Sequence, residues 1–538
     1  MSGFVQNYTP AGSASALLAL LPALLILLMM CLSRLPMWKI TLAGFGLTLL
    51  LAVAVWDMPP AAAASAAAFG AANALFPMIW TLGCAMWLFQ LLSVSGYLEA
   101  LKAFLQGITP DRRLQALLIG TAFTAFLESI AAFGAPIAIA GAMLIGLGFP
   151  AETALTVALL SDMVPGPWGT QSMPLTTLES VSGTSAALVG PWAAVTTAPL
   201  SVLVACGVVA AVSGRRGLRE IWYLPLGLGL AYAVLTGAIA AGASVSAAGV
   251  AAGMLSILMV IIAARMRRRK TPWRFPGERR PERTGCRRGA ALRAVFPYLA
   301  LVILALAVGM EPLRSSLKTA GQLRLIWPGL EVFRMPPVSA QQESYPAVYS
   351  VNVLSNGGSL VFLACLLSIP VLKLKPAGVW EALKRAARQL LFPGVTLLCV
   401  LAMAYVMNYA GMTLSIGLPL MKLNGSLFSN VTVIVGVLGC VLTGSVAGSN
   451  ALFGNLIATV GASVKCNSAA VLAALCGGGA LGKLITPQNL AIAGSQLNEA
   501  QRREWMPRIT KRMFAWALAG LLLELAWVFL LQSGALEF

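Results

Sequence analysis

The sequence predicts an all-α polytopic membrane protein of about 12 transmembrane helices, with broken or re-entrant segments in two inverted structural repeats. Three observations carry this expectation. Apolar runs of spanning length recur from end to end, basic residues fall in clusters between them, and two stretches match with their flanking charges reversed.

The chain has 538 residues, 59% hydrophobic and 10% charged. Globular domains carry roughly 25% charge, so there is too little here to cover a soluble surface. Runs such as Leu17–Met30, Ala294–Val308 and Leu391–Met407 are long enough for membrane helices. The net charge of +19 does not point to nucleic acid, because Lys and Arg sit in short clusters without interleaved aromatics. Nine Cys lie mostly within apolar stretches, no CxxC occurs, and the chain has no His. No disulfide scaffold, metal site or cofactor is therefore expected. Proton chemistry falls to carboxylates.

Basic residues cluster at Arg34 and Lys39, at Lys102 with Arg112 and Arg113, and at Arg215, Arg216 and Arg219. Others fall at Arg265–Arg293, Lys373–Arg388 and Arg502–Arg512. The positive-inside rule makes these cytoplasmic. Nearly uncharged connections alternate with them: Asp57–Asn73, Ser180–Gly190, the region near Gly242 and Asn424–Asn430. Met1–Gly12 lacks a basic n-region, so Ala14–Leu32 reads as a retained helix running inward. The last span, Phe514–Leu531, runs outward, leaving both termini periplasmic.

The expected organisation follows. Residues 1–264 form an N-terminal transmembrane half containing a first repeat at about 75–190. Residues 265–293 form a basic cytoplasmic loop. Residues 294–538 form a C-terminal half with a second repeat at about 392–500 and an external loop at 311–350.

The repeat rests on anchors about 315 residues apart. Phe76-Pro77 and Phe392-Pro393 open spans that end at Ser95-Gly96 and Ala410-Gly411. Glu128–Ala135 aligns with Gly444–Ala451, and Gly169–Pro174 with Gly482–Pro487. Basic residues follow the opening span in the first copy (Lys102, Arg112, Arg113) and precede it in the second (Lys384, Arg385, Arg388). The copies are thus expected upside down relative to each other, the pattern of secondary transporters whose site lies between the repeats.

Ionisable residues inside apolar spans are expensive and mark candidate sites. Leu114–Gly148 contains one, Glu128, followed by Ser129 and Gly134-Ala135-Pro136, which break a helix. Ser445 with Gly448-Ser449-Asn450, and Thr486-Pro487-Gln488-Asn489, repeat that pattern. Broken backbone in a membrane lines a polar cavity or is buried in protein. Helices restarting there present N–H groups to an anion. Close packing through small residues accounts for many of the Gly and Ala positions but not for Glu128. Glu128 is read as the proton-coupling acid, since burial favours the neutral carboxyl; the alternatives are an acid neutral throughout or one paired to Lys483. Asp162, before a Pro/Gly-rich break, is a second proton-coupling candidate, and Glu152 reads as a helix cap after Pro150. Lys483 is either a counter-charge or a short reach to the surface.

Over nearly its whole length the chain resembles the L-lactate permease family of bacterial lactate/glycolate:proton symporters. Gln6–Gly12, Thr109–Gln115, Phe126-Leu127-Glu128 with Phe133–Pro136, and Val406–Met412 carry the likeness. So do Leu442–Ser445, Ser449–Phe453 and Gly482–Gln488. The resemblance implies proton-coupled uptake of L-lactate, D-lactate or glycolate across the inner membrane. Two departures stand out. The family has an acid after the Gly-Ser of the second break, where this chain has Val446. Its first break reads Glu-Gly-Ala-Ala-Gly, where this chain has Glu128-Ser129-Ile130-Ala131-Ala132. Asp162 also stands where the family suggests Asn, and is expected to replace the missing acid.

The substrate carboxylate is expected near Ser129, Gly134, Ala135, Ser445, Ser449 and Asn450, with Lys483 as a counter-charge. Gln171, Thr486, Gln488 and Asn489 are the candidates for hydroxyl recognition. A sodium-coupled organic-anion transporter is the alternative within transport. A membrane enzyme would need clustered acids, His or metal ligands, and a channel would need repeated pore-lining rings.

Overall fold

Helices form over the apolar runs, and their starts are fixed by caps. The side chains of Asn356, Asn424 and Asn467 accept from the first-turn N–H groups of Gly357–Val371, Gly425–Thr443 and Ser468–Gly482. The computed structural model describes residues 3–32, 35–130, 135–267, 272–275, 288–309, 313–336, 342–354 and 356–532. Gly134 and most of the expected basic loop lie outside these residues. Among the described residues, nine helices are long and apolar enough to cross a membrane, and four shorter apolar helices accompany them.

Two segments differ from expectation. Asp57–Asn73, expected as a connection, contains helix Pro60–Asn73, because an alanine-rich run with proline at its first position favours helix. That helix passes through extended backbone at Phe76 (φ −134°, ψ 125°) into Trp80–Val94. The expected external loop is partly built: helix Leu313–Gly321 leads into strand Gln322–Ile326, which pairs antiparallel with Val348–Asn352. Val332–Arg334 pairs with Glu343–Ser344 and, in parallel, with Phe4–Val5 near the N-terminus.

One order of elements occurs twice. A long span ends at a left-handed glycine (Gly96, φ 75°; Gly411, φ 92°), and a short helix follows (Tyr97–Gln106; Met412–Leu420). A third segment ends near Glu128 or at Thr443. Helices Ala135–Gly146 and Val446–Ser463 restart the chain, and Ala151–Met163 and Ser468–Gly482 follow. Tight turns at Gly166–Trp168 and Lys483–Ile485 interrupt each copy, and the long helices Ala186–Ile221 and Glu499–Gln532 close them.

Packing is crosswise. Met37–Ala54 lies against Pro376–Ala410, while Gly357–Val371 lies against Trp80–Val94. Ser15–Leu32 meets Met412–Leu420, and Arg288–Gly309 meets Tyr97–Gln106. Near the centre, a Cβ at Gly478 would fall on the Val433 carbonyl, and one at Gly436 on that of Leu475. Only glycine lets the backbones of Ser468–Gly482 and Gly425–Thr443 approach this closely.

Arg112 and Arg113, read as part of a cytoplasmic cluster, are buried. Arg113 pairs with Asp111 (3.0 Å) and Glu220 (2.6 Å), and Arg112 donates to Gln115. The buried Arg113 charge is offset by this pairing, which clasps the end of helix Ala186–Ile221.

Candidate functional site

Three interruptions bring three ionisable groups together. Glu128 closes the short helix Thr124–Glu128, Asp162 lies one residue from the end of Ala151–Met163, and Lys483 follows the end of Ser468–Gly482. Lys483 Nζ lies 2.6 Å from Glu128 Oε1 and 2.8 Å from Asp162 Oδ2. All three side chains are buried. Of the two open readings for Lys483, the structure favours the counter-charge over a reach to the surface.

Neighbouring polar groups hold this arrangement. Asn489 Nδ2 donates to the Lys483 carbonyl at 3.0 Å and to Asp162 Oδ2 at 3.4 Å, and Thr486 Oγ1 donates to the same carbonyl at 3.1 Å. Glu128 Oε2 and Asp162 Oδ1 have no hydrogen-bond partner among the described residues. With every group ionised, two carboxylates face one ammonium and the net charge is −1. Buried charges are stable only where pairing offsets desolvation, and here one ammonium serves two carboxylates.

A cavity of about 30 Å³ touches Glu128, Lys483 and Asn489, along with Gly166, Thr170 and the segment Gly444–Ala447. That is about one water's share of liquid volume. The Val446–Ser463 helix starts on its wall, and Ser445 Oγ accepts from Gly448 N to cap that start. The positive end of a helix and an ammonium thus face one small space, a combination suited to an anion.

On the first-copy side, Thr170, Gln171 and Ser172 are consecutively left-handed, with φ of 42°, 57° and 62°. Such backbone costs about 1–3 kcal/mol per residue and persists only where surroundings hold it. Here Gln171 N donates to the Ser129 carbonyl at 2.8 Å, and Ser172 Oγ donates to the Val245 carbonyl at 2.6 Å.

Other expected residues are placed elsewhere. Ser129 Oγ donates to Ala125 within its own helix, and Ser449 Oγ donates to the Gly436 carbonyl. Asn450 Nδ2 donates to the Pro174 carbonyl and to Cys476 Sγ, tying helices together. Ala135 begins its helix, and Gln488 lines a larger neighbouring cavity. Glu152, read as a cap, pairs with Arg512 at 2.8 Å. Glu524 was missed: it is fully buried, with both oxygens unpartnered among the described residues. As the one acid in the Phe514–Leu531 run, it carries the signal that singled out Glu128.

A model of the family described as L-lactate permease matches residues 15–523. The chain belongs to this family. An L-lactate permease of Bacillus subtilis is 30% identical over 94% of this chain and 95% of its own length. Glycolate permease GlcA of Escherichia coli is 30% identical over 98% of this chain and 99% of its own. Among solved structures, the YdaH transporter of Alcanivorax borkumensis aligns with a TM-score of 0.44 and 12% identity, covering 87% of this chain and 86% of that one. The chain is a multi-pass membrane transporter, not an enzyme.

Proposed function

We propose that this transporter carries short 2-hydroxymonocarboxylates, L-lactate, D-lactate or glycolate, together with a proton across the bacterial inner membrane. The observation that carries the reading is Lys483 between Glu128 and Asp162. An anion approaching an ionised triad of net charge −1 is repelled in a low-dielectric setting. One proton on either acid neutralises the triad and frees part of the ammonium for the incoming carboxylate. Proton and anion then cross together without net charge, avoiding about 2.3 kcal/mol per charge per 100 mV of membrane potential.

In this reading the substrate carboxylate docks between Lys483 and the start of Val446–Ser463, and Asn489, Thr486 or Gln171 meets the hydroxyl. The doubled element order and crosswise packing support two inverted repeats, and the placement of the basic clusters supports periplasmic termini. Sodium coupling is disfavoured at this position because the tethered ammonium already stands between the acids. Asp162 takes the place of the acid missing at Val446, which borders the same cavity.

Purified protein in liposomes tests the reading. An inward proton gradient is expected to drive accumulation of labelled lactate, with glycolate and both lactate enantiomers competing. Uptake that follows sodium and ignores protons would remove the coupling scheme.

A further inference from the structure

A second cavity, of about 300 Å³, adjoins the charged centre, and Ser445 lines both. Its sides are formed by Met37 and Trp38 at the start of one helix and by Phe392 and Thr396 on Pro376–Ala410. Its floor carries the polar groups of Thr443, Ser445 and Gln488. Gln488 Oε1 sits over Gly444, 2.5 Å from where a Cβ would stand. That glycine is left-handed (φ 76°), at the break dividing the two spaces. A volume of 300 Å³ is about ten waters' worth, enough for a short carboxylate with part of its hydration, whereas the inner cavity, about one water's worth, must widen to admit one.

The mouth favours an anion. The Trp38 and Phe392 rings stack 6.1 Å apart, and the Lys39 ammonium lies 5.4 Å from the Trp38 ring. Lys384, Arg385 and Arg388 precede Phe392 by one to two turns of the same helix. Basic groups at an entrance concentrate anions there.

The crosswise counterpart is shut. Gly357–Val371 stands to Trp80–Val94 as Met37–Ala54 stands to Pro376–Ala410, yet a Cβ at Gly358 would lie 2.7 Å from Thr81 Cα. Thr81 Oγ1 donates to Asn356 Oδ1 at 3.1 Å, and Trp80 Nε1 donates to Ser359 Oγ at 3.3 Å. Gln171 Oε1 is packed beneath Gly357. One entrance is open, and its equivalent is sealed backbone to backbone.

We propose that the larger cavity is the substrate vestibule, where a short hydroxycarboxylate anion lodges after passing Trp38 and Phe392, and that Gln488 over Gly444 is the gate to the Lys483 centre. This rests on the carboxylate transport proposed above.

The test uses Thr396→Cys and, independently, Leu397→Cys in the full chain in proteoliposomes, with labelling read by mass spectrometry at that peptide. An anionic, membrane-impermeant methanethiosulfonate is applied from each side in turn. Both cysteines are expected to react from the side of Lys39 and Arg385 only, and uptake is expected to fall relative to the same variant unlabelled. Lactate at about ten times its Kd should slow labelling about tenfold. Reaction only with a lipid-soluble maleimide would make the cavity an acyl-chain groove and overturn the proposal. So would labelling that leaves uptake intact. Failure of the unmodified protein to carry any hydroxycarboxylate would strike the transport reading itself, a separate result.

Discussion

Glu128 and Lys483 form a 2.6 Å ion pair across 355 residues of sequence, joining one copy of the repeated element order to the other. Each group sits where its helix stops, so the pair links two chain interruptions rather than two helix faces.

Lys483→Met leaves two buried acids without their cation. Removing one partner of a buried pair costs about 3–5 kcal/mol. Thermal unfolding in detergent should show a marked loss, and Glu128→Gln combined with Lys483→Met should recover part of it. Equal stability of the single and double variants would contradict the pairing.

Asp162→Asn should lower proton-driven accumulation by tenfold or more, a loss of about 1.4 kcal/mol in coupling. Lactate counterflow, which needs no net proton movement, should persist. Val446 and Lys483 both flank Gly166, where a Cβ would lie 3.2 Å from one and 3.3 Å from the other. Adding Val446→Asp to Asp162→Asn is therefore expected to restore accumulation. Full accumulation in Asp162→Asn alone would take Asp162 out of the coupling.

Gly478→Ala places a methyl on the Val433 carbonyl, where backbone rather than a flexible side chain must yield. Overpacking of this kind costs about 1–3 kcal/mol or more. Gly46→Ala, with open space around it, serves as the control. The two variants should differ clearly in yield of folded protein by size-exclusion chromatography.

Arg113→Ala breaks the clasp with buried Asp111 and exposed Glu220. The Glu220 arm is solvent-screened and contributes little, so the loss comes from Asp111, about 3 kcal/mol. Unfolding temperature should fall while proton dependence of uptake stays as it was. Arg113→Lys should recover only part, because lysine lacks the fork that spans both partners.

Much of this architecture was legible in the sequence because lipid forces spanning length and charge placement onto the chain. Glu128 stood out as the one ionisable group in a long apolar run. Its partner did not, since Lys483 fits equally a counter-charge or a surface reach until the fold brings them together. Arg112 and Arg113 read as loop charge because the pairing of Arg113 with Asp111 and Glu220, and the bond from Arg112 to Gln115, are invisible without geometry. Ser449 and Asn450 lie beside a break, as expected, but their donors serve neighbouring helices. The strands within 311–350 carry only a short alternation, too brief to set against a prolonged apolar signal.

The exchange of neighbours between the two sets of helices bears on biosynthesis. Met37–Ala54 is made long before Pro376–Ala410, so its contact with Ser15–Leu32 can form early while its contact with Pro376–Ala410 cannot. The interface between the two sets of helices is thereby deferred until Pro376–Ala410 has been made. The same arrangement implies that two fragments produced separately in one cell should find each other and complete the molecule.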